Sequence, residues 1–169
     1  MAVVNTKSTA VTNADATPVD LTGAYLSAGR LRESVGTVET VNGDSIASVY
    51  RICRIPSSAR VSQILHYSDD NGTTAIADVG LYKTAADGGA VVDADLFASA
   101  LVLNAGALSA VDITHESAVF DIVHVERRLW EALGLTADPK IWYDVCYTLT
   151  AASDAAGTIT AKVRFVDGT

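Results

Sequence analysis

Two segments near the C-terminus alternate apolar and polar residues so regularly that they leave one choice of local structure. Ile141, Tyr143, Val145, Tyr147 and Leu149 are separated by Trp142, Asp144, Cys146, Thr148 and Thr150. Ile159, Ala161, Val163 and Phe165 are likewise separated by Thr158, Thr160, Lys162, Arg164 and Val166. A helix would scatter these side chains around its circumference, whereas a strand sends successive side chains to opposite faces. Each segment therefore reads as a strand with one buried and one wet face. With residues 151–157 as the loop between them, the pair reads as an antiparallel hairpin.

Turn chemistry divides the rest of the chain into further short strands. Val35–Val41 runs into Asn42-Gly43-Asp44-Ser45, a turn composition, and Ile46–Ile55 is stopped by Pro56, which cannot donate to a sheet ladder. In Arg60–Tyr67, strict alternation places Val61, Gln63, Leu65 and Tyr67 on one face, with Arg60, Ser62, Ile64 and His66 on the other. Asp69-Asp70-Asn71-Gly72 follows, with Asn-Gly as a hairpin signal, and then Ala75–Lys83. Thr84–Ala90 is a loop. Asp93–Leu103 fits either a short helix capped by Asp93 or a buried strand, and Asp112–Phe120 reads as extended. Glu126–Leu135 has helical spacing of Leu129, Trp130 and Leu133, with Gly134 at its end and Pro139 beyond. One helix cannot supply the crossovers of a parallel sheet, so the expected fold is all-β: an antiparallel β-sandwich, of jelly-roll form, with one short helix at about 126–135.

The first 34 residues have no period. Val3, Val4, Val11, Val19, Leu21, Tyr25 and Leu26 are scattered among Ala, Thr, Ser and Asn, as in a segment that is loose or becomes ordered against a partner. The expected organisation is an extended N-terminal arm, 1–34, and a β-sandwich domain, 35–169. A length of 169 residues with 49% hydrophobic residues suffices for one core. No apolar run approaches the ~20 residues of a membrane span, and Met1–Ala10 does not resemble a secretory leader. With 12 Lys and Arg against 20 Asp and Glu, the net charge of −8 argues against a general affinity for nucleic acid.

Candidate chemistry is sparse. Gly43-Asp44-Ser45-Ile46 resembles the nucleophile block of GDSL-type esterases, and Asp112-Ile113-Thr114-His115 their Asp-x-x-His pair, but no Gly-x-Asn-Asp block accompanies them. His115-Glu116 and His124-Val125-Glu126 lack a third and fourth ligand for a metal, and Asp69–Thr73 has its Gly two positions early for a calcium loop. Cys53 and Cys146 each lie in a strand; on neighbouring strands they would be within range of a disulfide, and otherwise they are small apolar residues. No catalytic, cofactor-binding or metal-binding residue is assigned. Trp142 is either covered by the 126–135 helix or exposed as an anchor for a partner or a sugar ring.

Taken together, the Ser/Thr/Ala-rich arm and the phrases SVYRICRIPSSARV, ADVGLYKTAADGGAVVDADLFASA, RRLWEALGLTADP and YDVCYTLTAASDAAGTITAKVRFV resemble small virion proteins of tailed bacteriophages, in particular the capsid decoration or cement class. The resemblance implies a β-sandwich or jelly-roll module made in the host cytoplasm. It implies a place on the outer capsid surface, with the major capsid protein as partner and a homo-oligomer, trimer favoured over dimer. The class has no residue motif to carry over; the unpatterned arm and the anchor reading of Trp142 give the expected partner-binding residues as Val3, Val4, Val11, Val19, Leu21, Tyr25, Leu26 and Trp142. A head–tail or tail-associated structural protein, a carbohydrate- or receptor-binding sandwich and, more remotely, a serine esterase using Ser45 and His115 are the alternatives.

Overall fold

The computed structural model describes residues 4–104 and 106–167. Its strands are β1 (Arg30–Thr40), β2 (Val49–Pro56), β3 (Ala59–Ser68), β4 (Ile76–Lys83), β5 (Val91–Val102), β6 (Leu108–Asp112), β7 (Trp142–Ala151) and β8 (Gly157–Asp167). Two short helices are α1 (Thr9–Ala14) and α2 (Leu129–Ala132). The strands form two four-stranded antiparallel sheets, ordered β1-β8-β3-β6 and β2-β7-β4-β5. The fold is the expected all-β sandwich. Successive strands change sheet at every connection except β4 to β5, and this order is that of an eight-stranded jelly roll.

The crossing pattern corrects two expectations. β7 and β8 are not a hairpin: β7 pairs with β2 and β4, and β8 with β1 and β3, so the 152–156 loop crosses from one sheet to the other. Asn71-Gly72 likewise joins β3 to β4 across the gap, with Gly72 at φ 95°. Alternation says that one face of a strand is buried, not which sheet the strand joins. The apolar faces of β7 and β8 bury Tyr143, Val145, Tyr147 and Leu149 from one side and Ile159, Ala161, Val163 and Phe165 from the other.

Two bulges reset which residues face the core. In β3 the register with β8 slips between Val61 and Gln63, so Val61 points inward, and Ile64, His66 and Ser68 follow it, in place of the strict alternation of the sequence reading. In β2 the slip falls between Arg51 and Cys53. Arg51 and Arg54, three apart, thereby share the outer face, where Nη1 of the first and Nε of the second donate to Asp144 at 2.8 and 2.7 Å. Burial pushes the Asp144 carboxyl up, but the two guanidinium hydrogen bonds prevail and hold it below the usual carboxylate range.

Other boundaries also move. Of Asp93–Leu103, all but Leu103 belongs to the strand β5, and the ladder of β6 ends at Asp112, after which the chain turns and bonds to β5 through Ser117 and Phe120. β1 begins at Arg30, so residues 30–34, read as arm, are laddered to β8. The arm is not wholly extended, since α1 forms behind the Ser8 hydroxyl, which accepts from Val11 N–H. The expected 126–135 helix shrinks to α2. Arg128 is extended (ψ 159°) and its N–H is taken by Glu131, while Gly134, at φ 70°, stops the chain two residues after Ala132.

One polar bridge spans the core. His66 on β3 is fully buried, with Nδ1 2.9 Å from the Tyr147 hydroxyl on β7 and Nε2 3.2 Å from Ser68 Oγ. Burial lowers its pKa to about 4. The unfolded chain binds that proton at ordinary imidazole values, so the neutral bridge stabilises the fold fully above about pH 6.5 and progressively less as the pH falls toward 4. Urea unfolding at pH 7 and 4.5 should show His66 accounting for a loss of about 2–3 kcal/mol. His66→Gln should remove that share of the pH dependence. At the sandwich edge β1 and β2 nearly touch: a Cβ on Gly36 would lie 1.7 Å from the Ile52 carbonyl oxygen. Gly36→Ala should therefore cost about 2 kcal/mol or more in a thermal or urea melt, because backbone has to move.

Candidate interaction surface

Because each strand traverses the sandwich, the connections alternate between its two ends. Loops 41–48, 69–75, 103–107 and 152–156 share one end, where Asp154 accepts from the N–H groups of Thr73 and Thr74 and Thr40 meets Asn71 at 2.6 Å. The other end carries residues 57–58, 84–90 and the long 113–141 segment, and the arm is rooted there.

The root is a stack. The Arg128 guanidinium lies over the Tyr25 ring at 4.6 Å and over the Trp130 ring at 4.9 Å, and Glu131 holds it in place at 3.0 Å. Arg60 Nε donates to the Tyr25 carbonyl at 2.7 Å. A Cβ on Gly29 would collide with Ala24 O and Val166 Cγ1, so the passage from root to β1 requires glycine. Beyond the root the large apolar side chains face water. Val4, Val11, Val19 and Leu21 are exposed, Leu21 at 87%, while Tyr25 is half-buried under Arg128 and Leu26 lies at the edge of the body. Val3 lies outside the described residues.

Next to the root, the 119–135 segment exposes Val119, Ile122, Val123 and Leu135, Ile122 at 85%. Sequence reading missed this patch; the signal was the apolar Ile122-Val123 pair with Val125 in a stretch that has no period to bury it. A cavity of about 490 Å³ lined by Val92, Leu96, Val119, Leu133, Leu135 and Ile141 adjoins it. Trp142 is not covered by α2: it is 49% exposed and pairs with Pro56 across β2–β7.

The remaining candidates do not assemble into chemistry. Ser45 sits in the 41–48 loop and His115 follows β6, at opposite ends of the sandwich. His115 Nδ1 donates to Phe120 O, and the Asp112 carboxylate is taken by Thr114 and Gln63, so neither forms a relay. Glu116 accepts from Ser99 N–H and His124 is paired with Asp121; among the described residues no three His, Cys, Asp or Glu side chains converge on one point. Cys53 and Cys146 do lie on neighbouring strands, but Cys53 faces Val145 and Cys146 faces Arg51, which puts them on opposite faces of the sheet and rules out a disulfide. Burial raises their thiols to about 11 and about 12.

If the Arg128 stack fixes the root, Arg128→Ala should free it. A cation–π pair is worth about 1–2 kcal/mol, so proteolytic cleavage around residues 22–29 should speed up roughly tenfold. The melting temperature of the body should shift little.

No protein-family model matches the chain, and no curated protein matches it. Among solved structures, a chain of the cyanophage Pam1 capsid asymmetric unit is similar in fold at 18% identity, with 82% of this chain and 85% of that chain covered and a TM-score of 0.48.

Proposed function

We propose that this chain is a structural protein of a tailed-phage virion, a decoration module that sits on the outer capsid surface and staples neighbouring capsomers. The observation that carries this reading is the arm: a root held by Arg128, followed outward by Leu21, Val19, Val11 and Val4, whose apolar side chains lie exposed. Such a segment gains contact area by ordering on a partner, and its small side chains lose little rotamer entropy in doing so. The sequence resemblance points the same way, and the net charge of −8 suits a surface turned away from packaged DNA. The partner in this reading is the major capsid protein. A symmetric homo-oligomer, trimer favoured over dimer, would convert several weak arm contacts into avidity. The reading assigns no catalytic step.

Co-sedimentation with heads of the encoding phage, assembled without this protein, tests it. Full-length chain should pellet with the heads and saturate at a fixed ratio to capsomers. A chain lacking residues 1–22, which keeps the root and every strand, should bind at least ~10-fold more weakly, a loss of about 1.4 kcal/mol or more. Full-length protein that stays in the supernatant, or that pellets only with tails, overturns the assignment.

A further inference from the structure

At the arm end, between the start of β7 and the ends of β1, β2 and β8, lies a groove of about 480 Å³, within the range of small-ligand sites, about 300–1,000 Å³. We propose that this groove binds a neutral pyranose sugar, with Trp142 as its stacking platform and Asp138 and Ser58 as its hydroxyl partners. The proposal is independent of any role on a virion.

Three observations carry it. The first is the platform: Trp142 leaves half its surface open beside Pro56, its cross-strand partner, and an indole face is the natural support for the C–H face of a sugar ring. The second is Ser58. It is 7% exposed, lines the groove, and its hydroxyl makes no hydrogen bond among the described residues. That hydroxyl still reaches solvent through the groove, so a ligand hydroxyl can take the place of the water that meets it there. The third is Asp138, whose carboxylate is positioned through Oδ1 alone, by the Ser57 hydroxyl and by Lys140 N–H at 2.9 Å. Among the described residues no donor reaches Oδ2, so a charged acceptor is held in place with one oxygen to spare.

The rest of the lining narrows the ligand. Asp138 and Asp167 are matched by Arg32 and Lys140, and Arg32 lies 3.5 Å from Asp167, so the wall has no net charge to select an acidic sugar. A peptide added as a strand needs a free sheet edge. The edges nearest this groove, β1 and β2, crowd each other at Gly36 and Ile52, which leaves little room for a strand between them at that point.

Tryptophan fluorescence of the full chain, titrated with glucose, galactose, mannose and short N-acetylglucosamine oligomers, tests the assignment. At least one probe should give a saturable change at or below about 10 mM, the range of a weak single-site contact. Trp142→Ala should abolish that signal, whereas Trp130→Phe should keep it. Asp138→Asn and Ser58→Ala should each weaken binding about 3–30-fold if they meet sugar hydroxyls. The proposal is overturned if no probe saturates, or if saturation survives Trp142→Ala. It is equally overturned if only a peptide of residues 4–26 titrates the signal, which would make the groove a slot for the arm of a second copy.

Discussion

Everything in this molecule answers to one gap. Two sheets face each other, every strand lines that gap on one side, and only alternate residues can enter it. A strand that loses step with the gap would turn polar side chains inward along its whole remaining length. The chain meets this demand in β2 and β3 by inserting one residue, at Ile52 and at Ser62, so that the apolar series resumes in phase. The same insertions create the polar features of the body. Without the slip in β2, Arg51 and Arg54 would fall on opposite faces and Asp144 would have one partner. Without the slip in β3, His66 would face water and the bridge to Tyr147 would not exist.

The two ends of the sandwich serve different purposes. At one, short crossings are tied to each other by side-chain hydrogen bonds such as those of Asp154 to Thr73 and Thr74, which suits connections that only have to hold sheets together. The other carries the long 113–141 segment, the arm root and the Trp142 groove. There the chain bends part of that segment along the edge of β5, where Ser117 and Phe120 take carbonyls that would otherwise be an open ladder. Covering that edge buries Phe120 and leaves Ile122 and Val123, just beyond it, outside.

The fold class and most strands were legible because period-2 alternation and turn residues are local signals. Gly43 and Gly134 adopt the positive φ their settings suggested, and the Thr84–Ala90 loop is the turn of the β4–β5 hairpin. Sheet membership was not legible, since β7 and β8 have the same alternation whether they pair or face each other. The in-step reading of Arg60–Tyr67 failed for a related reason: a bulge is one extra residue with no compositional mark of its own. The helix at 126–135 was overextended because helical spacing of Leu129, Trp130 and Leu133 does not reveal that Arg128 is held extended, its guanidinium stacked on an arm residue a hundred positions away. The candidate surface was legible in its residues and not in its geometry. Tyr25 is the half-buried root rather than a free contact, and the accessibility of Trp142 depends on a covering helix that turned out to be a single turn.

The two cysteines carry a consequence for handling the protein. Their sulfurs occupy opposite faces of one sheet, and burial holds both thiols far above neutral pH, so almost no thiolate is present to react under ordinary labelling conditions. A cysteine introduced at an exposed position of the arm would be the reactive one. Spin labels, dyes or cross-linkers can thus be placed along residues 4–22 of the otherwise native chain, and the path of the arm can be followed without first removing any native sulfur.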